Sequence, residues 1–169
     1  MSTPTSAIAA RAWEVLAGVA DPEIPVVSVV DLGIVREVRA DGSALEVTVT
    51  PTYTGCPATQ VIEASIRRAL ADAGFNATVR TSLAPAWTTD WMTEAGREKL
   101  ARFGIAPPGT RAADAPVPIR FVRTAPAAVA CPHCGATDTE RLAEFGSTAC
   151  KALYRCRACR EPFDHFKPI

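Results

Sequence analysis

Histidine is almost missing from this chain. There are two in 169 residues, His133 and His165, and neither has a glutamate three positions before it. That argues against a carboxylate-bridged di-iron centre, which draws glutamates and Glu-x-x-His pairs from four helices. No Gly-x-Gly-x-x-Gly run is present to seat a nicotinamide or flavin. Neither charge is in excess: 18 Lys and Arg balance 18 Asp and Glu. A net charge of zero weighs against a protein whose main task is gripping phosphate backbones. No stretch approaches the ~18 apolar residues of a membrane span. The start, MSTPTSAIAARAWEVL, lacks a basic segment followed by an apolar run. The expected setting is cytoplasmic, with no membrane and no nucleic acid as partner. Cysteine is scarce until the tail, where five of the six lie. In such a compartment they point to metal or thiol chemistry ahead of structural disulfides.

What is present divides into three textures. Ile8, Trp13, Val15, Leu16 and Val19, with alanines between, predict a helix over 5–19. Two prolines in DPEIP forbid its continuation, and Asp31-Leu32-Gly33 reads as a turn. Residues 34–39 and 45–50 alternate in polarity around Asp41-Gly42, a hairpin signal. Val61, Ile62, Ile66, Ala69 and Leu70 predict a helix over 56–73 that stops at Gly74. A strand over 77–83 and a helix over 93–103 follow. The order α-β-β-α-β-α suits a small α+β or α/β domain over 1–105. Residues 106–130, rich in proline and alanine, read as an extended connector, with a strand expected at 119–123.

The tail, 131–169, carries two Cys-x-x-Cys knuckles, Cys131/Cys134 and Cys156/Cys159, with 21 residues between them. That is the ligand pattern of a zinc ribbon. Four thiolates close a tetrahedral shell, so the site is expected to be structural. A 39-residue tail cannot bury enough apolar surface to fold alone, and the metal supplies the deficit. Zinc is the default ion. Iron suits the same ligands. Cys150 has no knuckle partner and reads as a small residue beside the cage. His133 reads as an exposed loop residue and His165 as a strand residue. Lys151, Arg155, Arg157 and Arg160 surround the second knuckle. They form either a nucleic-acid face or a balance to the negative cage.

The remaining cysteine stands in TPTYTGCPATQ, residues 50–60. Pro57 fits a first helical position, which would make Cys56 the N-cap. There the helix dipole and free N–H groups favour a thiolate. Local chemistry leaves two readings open, an activated thiol and a small buried cap.

DPEIPVVSVVDLGIV (21–35) followed by TPTYTGCPA (50–58) resembles the small iron–sulfur-assembly domain family, which includes SufT-like proteins. Its joining to a four-cysteine ribbon is similar to one subfamily, the PaaD-type D subunits of the phenylacetyl-CoA epoxidase system. LAPAWTTDWMTEAGREKLARFGIAPP (83–108) and FGSTACKALYRCRACREPFDHFKPI (145–169) carry the same likeness. The resemblance implies a functional thiol at Cys56 and an acidic turn at Asp21 and Glu23. It also implies a transient iron–sulfur cluster or iron as cargo, beside structural zinc. The partners it implies are the other subunits, an oxygenase and an iron–sulfur reductase. The expected role is an accessory or maturation subunit in aerobic phenylacetate degradation, not itself catalytic. The alternatives are a zinc-ribbon regulator binding nucleic acid or protein, and a thiol oxidoreductase using Cys56. The latter lacks an adjacent resolving cysteine.

Overall fold

A computed structural model describes residues 4–41, 44–109 and 128–169. The strand expected at 119–123 lies outside these, as do turn residues 42 and 43 and most of the expected connector. The chain divides into two units, 1–103 with residue 169, and 104–168.

The first unit opens with α1 (Pro4–Ala17), whose Ala12 and Leu16 are fully buried one turn apart. β1 (Val35–Asp41) and β2 (Ala44–Val49) pair antiparallel. α2 (Thr59–Asp72) then carries the chain over to β3 (Asn76–Thr81), parallel to β2, giving the order β1-β2-β3. Leu45, Val47 and Val49 alternate inward on β2, as period two requires. On the other face Glu37 pairs with Arg39 and Glu46 with Arg80, which suits a solvent-facing surface. Ile62, Ile66 and Leu70, four apart, bury the inner stripe of α2. Val61, expected on that stripe, is 51% exposed. One residue is about 100° of helical turn, enough to carry it off the stripe.

α2 ends as glycine dictates. Gly74 takes φ +84°, and the Phe75 N–H donates back to the Leu70 carbonyl at 2.8 Å. α3 (Glu94–Arg102) starts on Thr93, whose side chain accepts from the Gly96 N–H. Before it, Trp87 is 4% exposed, and its Nε1–H donates to the Leu32 carbonyl at 2.9 Å. Its role is packing.

The second unit is a four-stranded sheet, β4-β7-β6-β5. β5 (Thr139–Ala143), β6 (Lys151–Cys156) and β7 (Pro162–Phe166) form the antiparallel ribbon. β4 (Ile105–Ala106) comes from the junction of the expected first domain and connector, and adds in parallel to β7. Ala106, Cys131, Cys156 and Phe163 form a small core, so half of it is cysteine. Lys151, 5% exposed, is neutralised by Asp164 at 3.1 Å.

Candidate metal centre and thiol loop

The ribbon brings its four knuckle cysteines to one point. Their sulfurs all lie within 4.8 Å of one another. Cys131 and Cys159 are 3.7 Å apart, and Cys134 and Cys156 are 3.6 Å apart. A tetrahedral ion with ~2.3 Å bonds to sulfur has sulfur–sulfur edges of about 3.8 Å. The donor set fits such an ion and fills its shell. Cys131 and Cys156 are buried, Cys159 is half-buried and Cys134 is exposed.

The two knuckles share one backbone pattern. The Cys131 N–H donates to the Ala136 carbonyl at 2.9 Å, and the Cys156 N–H to the Glu161 carbonyl at 3.0 Å. Each is a five-residue reach around a residue with positive φ, Gly135 in the first and Arg160 in the second. Backbone N–H groups of Cys159 and Ala158 bring the Cys156 thiol down to about 7. Cys159 is pushed up to about 12: a backbone N–H from Glu161 pulls it down, but burial and three neighbouring thiols outweigh that. Without a cation, the first thiolate resists the second. Cys150 stays outside the cluster, its sulfur 3.0 Å from the Thr148 hydroxyl. His133 is exposed, and His165 is buried on β7 with Nδ1 3.2 Å from the Ala106 carbonyl. Burial holds its pKa below 6.5, against that hydrogen bond.

In the first unit, the segments before β1, after β2 and after β3 gather at one edge of the sheet. Val49 aligns with Val35 on one side and Thr81 on the other. This is the C-terminal edge of the parallel pair, the edge where α/β sheets present ligands. Cys56 sits in the middle segment. Its N–H donates to the Tyr53 carbonyl at 3.1 Å. Its own carbonyl accepts from the Thr59 N–H at 3.2 Å and the Thr59 hydroxyl at 2.9 Å. The backbone is thus held on both sides, while the sulfur of this half-buried residue has no hydrogen-bond partner among the described residues.

The expected N-cap placement is corrected here. α2 begins at Thr59 and its cap is Ala58, with φ −74° and ψ −13°. The first bond after Cys56 spans three residues, so a tight turn precedes the helix. The thiol therefore lies one turn ahead of the helix proper, beyond the strongest part of the dipole.

Asp21 is 6% exposed, and its Oδ1 accepts from the N–H groups of Glu23 (2.9 Å) and Ile24 (2.8 Å). It caps its own turn. Glu23 is exposed.

Sequence reasoning missed Asp31. Its Oδ2 accepts from the Ser28 N–H at 2.8 Å and its N–H donates to the Ser28 hydroxyl at 3.0 Å. Lys99 adds an ion pair at 2.6 Å. The reciprocal Ser28-x-x-Asp31 pattern is legible as a capping-box signature; the lysine 68 residues away is not. Burial alone would raise the Asp31 pKa, but Lys99 and Ser28 outweigh it and hold it below the ordinary 3.8.

Two family models match the chain. Residues 9–80 match one described as "Iron-sulfur cluster assembly protein", and residues 115–167 match "PaaD zinc beta ribbon domain". An Escherichia coli protein, named as the D subunit of a "Putative 1,2-phenylacetyl-CoA epoxidase", is 48% identical over 93% of this chain and 91% of its own. A Bacillus subtilis protein named "Fe-S protein maturation auxiliary factor YitW" is 37% identical over 50% of this chain and 78% of its own. Among solved structures, a domain of unknown function, DUF59, from Bacillus anthracis has a TM-score of 0.54 at 27% identity. That match covers 57% of this chain and 93% of the domain. The chain therefore joins a DUF59-like helix-and-sheet fold to a metal-binding four-cysteine ribbon. No helix among the described residues is long and apolar enough to cross a membrane.

Proposed function

This chain belongs to the family of 1,2-phenylacetyl-CoA epoxidase D subunits, and from that membership we propose an accessory role: it helps assemble or deliver a metal or iron–sulfur centre for the epoxidase system. Cys56 is the thiol that handles the cargo. Asp21 caps the turn that follows α1, and Glu23 gives that turn an exposed carboxylate. Cys131, Cys134, Cys156 and Cys159 hold a structural zinc ion, which stabilises the ribbon when bound. The division is an assembly domain over 1–105, a connector over 106–130 and the ribbon over 131–169, with β4 at the junction of the first two adding to the ribbon's sheet. The protein works in the cytoplasm with the oxygenase and iron–sulfur reductase subunits.

One observation carries this reading. Cys56 is only half-buried, its backbone is fixed, and its sulfur has no partner among the described residues, at the ligand-presenting edge of the sheet. The knuckle cysteines, by contrast, satisfy one another and leave no open position.

The test compares two ways of making active epoxidase. Cys56→Ser keeps the side-chain volume nearly unchanged and should leave folding and tail metal intact. Co-expressed with the other subunits, it should give epoxidase of low activity and low client metal. Added to oxygenase and reductase that are already mature, it should have little effect. Full activity and full client metal on co-expression would sink the role of Cys56 in assembly. Loss of activity with mature parts would place the protein in turnover instead.

A further inference from the structure

The second knuckle carries a residue its backbone does not favour. Arg160 has φ +67°, a conformation that L side chains rarely adopt. The equivalent place in the first knuckle is Gly135, at φ +75°. Glycine would serve the turn equally well and without strain. A side chain kept at such a position points to a use for that side chain.

Its surroundings indicate the use. Arg160 shares an open recess of roughly 430 Å³ with Arg155, Arg157, Glu140 and Cys156. Glu140 lies opposite Arg155 in the β5–β6 register. Its Oε1 accepts from Arg155, and its Oε2 from Arg157 Nε at 3.3 Å and Nη2 at 3.1 Å. One carboxylate thus orients two guanidinium groups. Asp138, 3.6 Å from Arg157, is a looser partner. Arg160 is exposed and has no ion pair or hydrogen bond among the described residues. Arg155 and Arg157 are themselves more than half exposed. The lining has no large apolar side chain to enclose a small molecule, as ligand pockets usually do. It offers instead a shallow rim of forked donors that match carboxylates.

We propose that Arg155, Arg157 and Arg160 form a docking surface for an acidic patch on a partner protein, with Arg160 supplying the free guanidinium. The surface acts on partner choice and encounter rate, as rim charges do. It stands whether or not Cys56 handles a cargo. The competing account is that the arginines only balance the negative thiolate cage.

The test uses the full chain with its metal and a fluorescein-labelled hexaglutamate peptide at low salt. Arg160→Gly removes the guanidinium and relieves the backbone. It should weaken peptide binding about threefold to fivefold, the scale of one exposed charge pair. Metal content should be unchanged, and the ribbon no less stable. Arg67→Ala removes one exposed charge from α2 and should leave binding nearly as in the wild type. Three results would overturn the proposal: no peptide binding by wild type, equal weakening by both variants, or loss of metal in Arg160→Gly. Displacement of the peptide by low millimolar inorganic phosphate would also overturn it, by making the recess a phosphate site.

Discussion

At the scale of single residues, the turn before β1 concentrates constraint. Gly33 has φ +66°, and a Cβ there would lie 2.3 Å from the Trp91 carbonyl oxygen. Gly33→Ala should therefore destabilise the first unit by more than about 2 kcal/mol. Gly74, at φ +84° with open space around it, is the control; Gly74→Ala should cost about 1 kcal/mol. All three tryptophans, at 13, 87 and 91, lie in the first unit, so their fluorescence during urea unfolding reads this difference directly. Asp31 gives the same turn a pH dependence. Its folded pKa lies below its unfolded value, so its stabilisation is complete above about 4 and is lost as pH falls through the folded value. Asp31→Asn should be less stable at pH 7 and lose less stability between about pH 5 and pH 2. Gly33 was legible in sequence as part of a turn, but the reason for it was not. The atom that forbids a side chain belongs to Trp91, 58 residues on, and local periodicity carries no information about that approach.

At the scale of elements, periodicity served well wherever a face was buried. The helices, strands and their order in the first unit follow from spacing, because each inner stripe meets one core. Boundaries were harder. The sequence put the start of α2 at Cys56 from the proline alone, whereas the chain takes one tight turn before Thr59. The knuckle cysteines were the most legible feature, since two Cys-x-x-Cys pairs at this spacing have few uses other than holding a metal. β4 was invisible: a two-residue strand has no period. α2 offers a check on packing. Ile66 is fully buried at the middle of its stripe, so Ile66→Ala should cost about 2–5 kcal/mol. Val61→Ala, on the exposed side, should lie within about 0.5 kcal/mol of wild type. Thermal unfolding followed by tryptophan fluorescence separates the two.

At the scale of the whole molecule, the two units draw stability from different sources. The first has a core of aliphatic side chains; the second has a core in which metal-binding sulfur replaces hydrocarbon. Chelation with a strong zinc ligand should open the ribbon to protease while the tryptophan signal of the first unit persists. Cys134→Ser and Cys156→Ser should each reproduce that pattern, and a variant that kept one metal and full resistance would refute the ligand assignment. The pairing of β4 with β7 adds a matter of timing. Ala106 and His165, neighbours across that pairing, are 59 residues apart. A ribosome adding 5–20 residues per second makes the later one about 3 to 12 s after the earlier. For that interval Ile105 and Ala106 are an edge without its partner strand, and the sheet closes only once β7 has been made. A strand of two residues is a short template for a stranger, so the ribbon's longest wait during synthesis falls on the edge least able to recruit one.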